Sequence, residues 1–493
     1  MPKKFETVIG LEVHVELSTR TKIFCGCSTA FKAAPNSQVC PVCMGMPGTL
    51  PVLNRRVVEY ACKTGLALNC EITRRNAFDR KNYFYPDNPQ NYQISQLYQP
   101  ICRNGYLDGV TEDQESFRVR IHEIHMEEDA GKLIHDENGN SLVDYNRAGV
   151  PLIEIVTAPD MRNEKQVLAF LEKLRTTISY LGVSDCRMEQ GSMRVDLNLS
   201  VREEGEEKPG VRTEMKNLNS FHCVAAAIAA ERERQIALIK EGGEVLQETR
   251  RFDEGRNQSF AMRSKESARD YRYFPDPDLV PVIVDEDWLK RLKDELPEFR
   301  EERRKRMLET YRIPEYDVEL LTTSRQLADL FEATVACGAP PKKVSNWLMV
   351  ETLRILKERG LYEEDICFSP GHLAALIELA EKKVINSTVA KQVFEELFER
   401  DIDPVYYVRE NGLEMINEAG DLRKLLLQVL SENPKSVEDY RNGKERALGY
   451  LVGCAMKATA GKANPLSVRE LLIDLLADTA SANSFEINSS DNQ

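Results

Sequence analysis

The chain has 493 residues, of which 66 are basic and 80 acidic, so its formal net charge is −14. This length predicts roughly two to four domains, and the acidic balance argues against a general nucleic-acid binder while leaving room for local RNA contacts. No apolar run approaches the length of a membrane span. The first residues lead straight into a predicted strand without a signal peptide, so we expect a cytoplasmic protein.

The first predicted strand is Gly10–Leu17, where apolar residues alternate with Glu12, His14 and Glu16. A period of two is typical of a strand with one packed face. Neighbouring side chains on the polar face start about 7 Å apart. One ion could therefore bind Glu12 and His14, or His14 and Glu16, but not all three. The alternative is a polar sheet face that binds nothing.

Four of the twelve cysteines are clustered, as Cys25-Gly-Cys27 and Cys40-Pro-Val-Cys43. Without a secretory signal, cysteines are expected to be thiols or metal ligands rather than disulfides. Two close pairs fit a tetrahedral four-thiolate site of the structural kind, so the segment 25–43 is predicted to bind zinc. Four thiols without metal are the alternative.

After a predicted helix over 55–68, two segments combine cations with tyrosines. Residues 79–89, followed by Tyr92–Gln96, contain two prolines and are predicted to form a loop. Residues 270–278 are similar in composition, and arginines in this region of the chain could pair with phosphates. Both segments suit a ligand with a phosphate and a stacked ring or sugar, and packed surface loops are the alternative.

A predicted strand at 117–121 leads into three adjacent acids, Glu127, Glu128 and Asp129. Burying carboxylates without partners is costly, so either water or a cation must accompany them. Together with Glu12 and His14, Glu127 or Glu128 would complete an oxygen-rich Mg2+ site. A solvated run of charges is the alternative.

The middle of the chain predicts a helix over 163–181, a hairpin over 193–216 and a helix over 224–241. The hairpin repeats the mixture of acid, base and amide seen on the first strand, which favours one shared site on one sheet. From residue 285 onward strand signals stop. We predict a sheet domain over 1–293, a helical domain over 294–408, a helical tail domain over 409–478 and a disordered tail over 479–493.

Phosphate-binding loops of known pattern are absent from the sequence, which has neither a Gly-x4-Gly-Lys-Ser/Thr motif nor a Rossmann glycine pattern after a strand. It also has no recognisable nucleophile elbow. A nucleotide, if bound, is therefore expected on an antiparallel sheet face.

Several motifs resemble those of the B-subunit family of tRNA-dependent aspartyl/glutamyl amidotransferases, and the resemblance covers nearly the whole chain. The motifs are Val8–Glu16, Asp79–Asp87, Tyr92–Gln96, His125–Lys132, Arg194–Asp196, Glu214–Ser220 and Asp270–Pro275. The resemblance implies an α+β fold. An antiparallel-sheet catalytic domain similar to the glutamine synthetase and guanidino-kinase class would precede an all-α helical domain and a small α-helical tail domain.

The resemblance also implies a reaction. ATP would phosphorylate the side-chain carboxylate of Glu on tRNA(Gln) or Asp on tRNA(Asn), and ammonia would then displace the phosphate. The partners in a heterotrimer would be an amidase (A) subunit, which releases ammonia from glutamine, and a small C subunit. The expected cofactors are ATP and Mg2+, with structural Zn2+ at the cysteines.

Carried over by position, the resemblance assigns catalytic roles to Glu12, His14, Lys81, Glu127, Arg194 and Lys216. Among these, Glu12, His14 and Glu127 would bind Mg2+. Cofactor-binding roles fall to Glu128, Asp196, Glu214, Asn217 and Arg251. Candidate tRNA contacts in the tail are Lys435, Arg441, Lys444, Arg446, Lys457 and Lys462.

Two other functions compete with this one. A tRNA-binding scaffold subunit would carry the acids for structural reasons only, although a scaffold has no need to concentrate acids beside cations. A free-standing ligase would phosphorylate a small carboxylate, but two helical C-terminal domains favour a large substrate. ATP hydrolysis that depends on charged tRNA would separate all three.

Overall fold

The structure is a computed structural model that describes residues 4–208, 210–264, 271–415, 419–459 and 463–487. The chain divides into two compact units, residues 1–300 and 301–493. The boundaries expected after residues 293, 408 and 478 stay predictions.

The first unit is built mainly from strands. They are β1 (Phe5–Glu16), β2 (Glu71–Ile72), β3 (Arg75–Asn76), β4 (Asp79–Asn82), β5 (Tyr92–Ser95), β6 (Cys102–Val110), β7 (Ser116–Glu128), β8 (Lys132–His135), β9 (Ser141–Asp144), β10 (Pro151–Thr157), β11 (Met193–Glu203), β12 (Thr213–Leu218), β13 (Glu248–Asp253), β14 (Gln258–Ser264), β15 (Phe274–Pro275) and β16 (Val282–Ile283). Its helices are α1 (Arg55–Ala67), α2 (Glu164–Leu181), α3 (Phe221–Lys240) and α4 (Glu286–Asp294), with a 3-10 turn at Met188–Gln190.

Nine strands form one sheet in the order β14–β13–β12–β11–β1–β10–β7–β6–β2. Neighbouring strands are antiparallel, except that β12 and β13 run parallel. The strand predicted first in the sequence, β1, lies between β10 and β11 at the middle of this sheet. The predicted α+β fold with an antiparallel sheet is confirmed.

The two faces of β1 differ as the alternation predicts. Leu11, Val13 and Val15 are buried, whereas Glu12 and His14 are half-buried on the other face. Helices α1, α2 and α3 pack against the strands of this sheet and share its apolar core. The polar side chains of β1 therefore project from a rigid, packed support.

A bulge in β7 changes which of its residues face the core. Val156 of β10 pairs with Glu123, but the next residue, Thr157, pairs with Ile121, so His122 is an extra residue on β7. An extra residue reverses the alternation that follows it. Ile121 and Ile124 are both buried as a result.

The segment 79–89, predicted as a loop, is not a loop throughout. Residues 79–82 form β4, which pairs with β5 on one side and β15 on the other. The sequence Asp-Arg-Lys-Asn has little intrinsic preference for a strand, and pairing with Tyr92–Ser95 overrides that preference. The two segments rich in cations and tyrosines, 79–85 and 271–275, thereby become neighbours in one small sheet.

The second unit is helical. Its helices are α5 (Arg300–Tyr311), α6 (Glu315–Leu321), α7 (Arg325–Ala336), α8 (Pro341–Asn346), a π-helix (Trp347–Thr352), α9 (Leu353–Arg359), a 3-10 turn (Glu363–Asp365), α10 (Pro370–Glu381), α11 (Ser387–Arg400), α12 (Pro404–Glu410), α13 (Ala419–Glu432), α14 (Pro434–Arg441), α15 (Arg446–Ala458) and α16 (Pro465–Ile487). Buried apolar side chains form one cluster from Met307 to Val408 and another from Leu422 to Leu476.

The last helix extends into the segment that was predicted to be a disordered tail. α16 continues to Ile487, because neither Gly nor Pro interrupts the chain after Pro465, so residues 479–487 are helical and residues 488–493 lie outside the described residues. Within the described residues, every helix is too short or too polar to span a bilayer.

Close packing in the first unit gives a stability prediction. A Cβ atom added to Gly65 of α1 would lie 2.4 Å from Sγ of Cys102, which is fully buried. We expect Gly65→Ala to lower the free energy of unfolding by about 1–3 kcal/mol through overpacking, measured by urea denaturation. Gly453→Ala is the control, because a Cβ at this exposed position of α15 meets nothing within 4 Å. An undiminished stability of Gly65→Ala would contradict this packing.

Candidate functional site

One face of the nine-stranded sheet presents acids and histidines on adjacent strands. Glu12 of β1 is paired with Asp196 of β11, and His14 of β1 is paired with Glu154 of β10. These four side chains line a cleft of about 870 Å3. The acids that the repeated polar mixture predicted to share one site therefore lie together on one face of the sheet.

The first acidic cluster, here called the Glu12 group, consists of Glu12, Asp196 and Glu214. One oxygen from each lies within 4.8 Å of the others. Lys216 Nζ contacts Asp196 and lies 3.3 Å from Glu214 Oε1, and Thr249 Oγ1 donates to Glu214 Oε2 at 2.9 Å. Three carboxylate oxygens this close together are the kind of ligands that suit a divalent cation.

The second cluster, here called the His14 group, consists of His14, Glu127 and Glu154, again with ligand atoms within 4.8 Å of one another. His14 Nε2 lies 3.6 Å from Glu127 Oε1 and 3.4 Å from Glu154 Oε2. Ser95 Oγ donates to Glu127 Oε2 at 3.3 Å, and His125 Nε2 lies 3.0 Å from Glu154 Oε2. These contacts hold both carboxylates in position around one point.

The pKa values of the two histidines reflect this crowding. Burial alone would lower the pKa of His14, but the charges of Glu154 and Glu127 outweigh burial and raise it. Burial likewise opposes the charging of His125, yet the same two carboxylates raise its pKa to about 10. Burial favours neutral Glu154, whereas His14 and His125 hold its pKa well below the usual range. The cluster thus attracts positive charge strongly.

The expected Mg2+ site of Glu12, His14 and Glu127 is divided between two groups. Residues directly opposite each other on neighbouring strands lie about 5 Å apart, closer than the roughly 7 Å between same-face residues of one strand, so Glu12 and His14 each group with residues of the flanking strands. Sequence reasoning missed Glu154 as a potential ligand and His125 as its neighbour. The signal for both residues was alternation with apolar neighbours. Glu154 lies between Ile153 and Ile155 on β10, and His125 lies between Ile124 and Met126 on β7.

Glu128 is not part of the cleft, in contrast to its expected cofactor-binding role. It follows Glu127 on β7 and therefore faces the other side of the sheet. Its Oε1 accepts hydrogen bonds from Gln90 Nε2 and from the backbone N–H of Ile94. Burial raises the pKa of Glu128 to about 8. Of the two alternatives left open by the sequence, the geometry selects Glu127 as the potential metal ligand.

The cations expected to balance phosphate occupy different environments. Lys81 and Lys216 line the cleft, and Lys81 Nζ lies 5.2 Å from the ring centroid of Tyr271. Burial opposes the charge of Lys81, but Tyr273, Glu127 and Glu154 raise its pKa.

Arg194 is already engaged elsewhere, since its guanidinium donates two hydrogen bonds to buried Asp129. Asn217 and Arg251, which were expected to bind the cofactor, have exposed side chains. Lys81 and Lys216 are therefore the expected cations that the geometry brings into the cleft.

The four clustered cysteines converge as the spacing predicts. One Sγ atom from each of Cys25, Cys27, Cys40 and Cys43 lies within 4.8 Å of the others, so the cluster could hold one metal ion. Lys22 is fully buried, and its Nζ lies 3.5 Å from Cys43 Sγ. Hydrogen bonding from Cys25, with help from Lys22, lowers the pKa of Cys43 to about 4, which favours the thiolate form that binds metal.

The fold and the cleft define a protein in which an antiparallel sheet with two potential metal-ligand groups is followed by a helical C-terminal unit. Residues 7–290 match the family model of the GatB/GatE catalytic domain, and residues 329–476 match that of the GatB domain. The chain therefore belongs to the GatB family of amidotransferases, and the resemblance found in the sequence is confirmed.

Relatives from three bacteria each cover 96% of this chain. Each of them is named as the B subunit of an aspartyl/glutamyl-tRNA(Asn/Gln) amidotransferase. The relative from Agathobacter rectalis is 60% identical over 475 residues and is covered completely. The relative from Lachnospira eligens is 58% identical over 481 residues and is also covered completely. The relative from Lachnoclostridium phytofermentans is 56% identical over 476 residues, with 99% of its length covered.

Proposed function

We propose that this chain activates the side-chain carboxylate of Glu-tRNA(Gln) or Asp-tRNA(Asn) by ATP-dependent phosphorylation and supports its amidation by ammonia. The observation that carries this proposal is that β1 contributes to two metal-ligand groups, the Glu12 group and the His14 group, in one cleft. Phosphoryl transfer requires metal ions and cations that neutralise the charge of the transferred group. The tRNA substrates follow the names of the relatives.

The chemistry explains why a carboxylate needs activation. Its oxygen leaves poorly when ammonia attacks. A bond from the carboxylate oxygen to the γ-phosphorus forms while the bond to the β-phosphate oxygen breaks, and ADP departs. Ammonia then attacks the acyl carbon, phosphate leaves with the bonding electron pair, and the nitrogen loses a proton. Mg2+ held by the two groups would neutralise phosphate charge, and Lys81 and Lys216 would add positive charge in the same cleft.

We further propose that the chain acts in a heterotrimer. An amidase (A) subunit would supply ammonia from glutamine, and a small C subunit would complete the assembly, as the family resemblance implies. The proposed tRNA contacts in the tail remain Lys435, Arg441, Lys444, Arg446 and Lys457, while Lys462 lies outside the described residues. Lys444 is partly engaged, because its Nζ lies 2.8 Å from Asp439 Oδ1.

The test is ATP cleavage with Mg2+ and the partner subunits, comparing Glu-tRNA(Gln) and Asp-tRNA(Asn) with the same tRNAs uncharged. We expect cleavage to be stimulated only by the charged forms, because only they carry the carboxylate acceptor. Binding of charged tRNA without stimulation would favour the scaffold function and overturn the proposal. Cleavage with a small free carboxylate instead of tRNA would favour the free-standing ligase.

We also propose that the four-cysteine cluster holds a structural zinc ion, since four converging thiols form a closed tetrahedral ligand set. Metal analysis of the purified protein should find about one zinc per chain, and Cys40→Ser should lower that content. Cys337→Ser is the matched control, because this exposed cysteine is remote in sequence from the cluster. A fully active protein without zinc would contradict the structural role.

A further inference from the structure

The turn that carries Cys40 and Cys43 packs directly on the segment that precedes β5. Gly45 of this turn has φ +62°, and a Cβ atom there would lie 2.9 Å from Gln90 Cβ and 3.0 Å from Gln90 Cα. Such an approach leaves no room for a side chain. The four-cysteine turn and Gln90 are therefore in contact at the level of the backbone.

Gln90 in turn is tied to the end of β7 through Glu128. Gln90 Nε2 and the backbone N–H of Ile94 both donate to Glu128 Oε1, at 2.5 Å and 2.9 Å. Gln93 Nε2 donates to the backbone oxygen of Glu128 at 2.6 Å. Since Glu128 is only 9% exposed, these bonds are shielded from water and fix this side chain firmly.

The residue before Glu128 is Glu127, which is buried and contacts His14 and Ser95, two residues that line the cleft. Consecutive residues of a strand share one backbone segment, so a shift of Glu128 moves Glu127 with it. Ser95, which donates to Glu127 Oε2, likewise follows Ile94, which donates to Glu128. The two carboxylates are thus held by consecutive residues of β5 on opposite faces.

We propose that Gly45, Gln90 and Glu128 form a strut through which the four-cysteine turn positions Glu127 in the His14 group. Glu128 is then a positioning residue, buried behind the cleft, and the cysteine cluster serves the active cleft as well as its own loop. This inference rests on the proposed function in one respect, namely that the His14 group binds a divalent cation.

The first test is a titration with Mn2+, followed by electron paramagnetic resonance, on the full chain without ATP or tRNA. Wild-type protein should show two classes of site, which Glu154→Gln and Asp196→Asn assign to the His14 group and the Glu12 group. Gly45→Ala should weaken the His14 class about 10-fold or more while leaving the Glu12 class unchanged, as is typical when an outer support of a metal ligand is disturbed.

Gly48→Ala is the matched control. Gly48 belongs to the same turn and has φ +84°, so alanine carries the same kind of backbone strain there, but its Cβ would meet nothing within 4 Å. We expect Gly48→Ala to bind Mn2+ as the wild type does. Equal weakening of the His14 class by both variants would mean that loop strain, and not contact with Gln90, is responsible, and would overturn the proposal.

A second pair of variants tests the strut if Gly45→Ala does not fold. Glu128→Ala removes the acceptor for Gln90 and Ile94 and should weaken the His14 class, whereas Glu128→Gln keeps an acceptor oxygen and should restore it. If Gly45→Ala and Glu128→Ala both bind Mn2+ as the wild type does, the strut proposal is overturned and the proposed function is unaffected. A wild-type protein that binds no Mn2+ would instead remove the proposed function, and the strut with it.

Discussion

Glu154→Gln is expected to slow Mg2+-dependent activation of the carboxylate about 100- to 1000-fold, which is typical for the loss of one group that stabilises developing charge. Glu154 is the carboxylate between the two histidines, 3.4 Å from His14 Nε2 and 3.0 Å from His125 Nε2, and its side chain is only 12% exposed. Glutamine has nearly the same shape but lacks the charge, so the change removes the proposed metal-binding carboxylate without opening a cavity.

The measurement is ATP cleavage stimulated by charged tRNA, together with tRNA binding and urea unfolding of the same variant. Binding and folding should be retained, which separates loss of the metal site from loss of structure. Asp108→Asn makes the same chemical change on an exposed position of the same sheet, where Asp108 pairs with Arg118, and should leave cleavage unchanged. Wild-type cleavage in Glu154→Gln would show that the His14 group does not bind the catalytic metal.

The omission of Glu154 shows where sequence reasoning reaches its limit. Alternation within Gly10–Leu17 correctly predicted the two faces of β1, because that information is local. Which strands flank β1 is decided by pairing between distant segments, and the sequence does not state that Pro151–Thr157 is one of them. The division of Glu12 and His14 between two centres depends on those neighbours, so it could not be derived from β1 alone.

The choice between Glu127 and Glu128 was within reach of the sequence but required one more step. The apolar residues of β7 fall on odd positions up to Ile121 and on even positions from Ile124, and this change of phase marks the bulge at His122. Reading the second phase puts Glu127 on the polar face. Counting alternate positions from the strand predicted at 117–121 also puts Glu127 on the polar face, but only if His122 is recognised as an extra residue.

The cysteine cluster could be predicted from the sequence alone, whereas the strand in the first cation-rich segment could not. Close spacing of Cys25, Cys27, Cys40 and Cys43 limits where their thiols can lie, so the cluster was predictable without tertiary information. The strand β4 was not, because its residues prefer turns and become a strand only by pairing with β5 and β15. Its side chain Lys81 nevertheless enters the cleft, as the expected role requires.

Arg194→Met is expected to lower the free energy of unfolding by about 3 kcal/mol, which is typical when one partner of a buried ion pair is removed. Arg194 donates to Asp129 Oδ1 at 3.2 Å and to Asp129 Oδ2 at 2.9 Å. Asp129 is only 5% exposed, and among its cationic partners it would keep Arg147, whose Nε lies 3.4 Å from Oδ2. Methionine fills the space of the aliphatic part of the arginine side chain. The lost stability therefore measures removal of the positive charge and not the opening of a cavity.

The free energy of unfolding that Arg194→Met loses should be larger at pH 8 than at pH 5. Burial alone raises the pKa of Asp129, and Arg194 with Arg147 lowers it below the usual value, so the wild type gains stability from ionised Asp129 above that value. Without Arg194 the buried carboxyl takes up a proton more readily, and the variant loses stability as pH rises through the raised pKa. Neighbouring Glu16 adds to this: burial and the charge of Asp129 raise its pKa to about 8 against the lowering effect of Arg194, so removal of Arg194 further disfavours ionised Glu16.

Urea unfolding at both pH values measures the effect, and Arg118→Met is the control. Arg118 makes a similar two-bonded contact with Asp108, but on an exposed part of the sheet, where an ion pair contributes little, so its urea midpoint should hardly change. The outcome also decides the function of Arg194. Lost ATP cleavage with an unchanged urea midpoint would assign Arg194 to the phosphate, as the family resemblance implies, whereas lost stability identifies it as the partner of a buried acid.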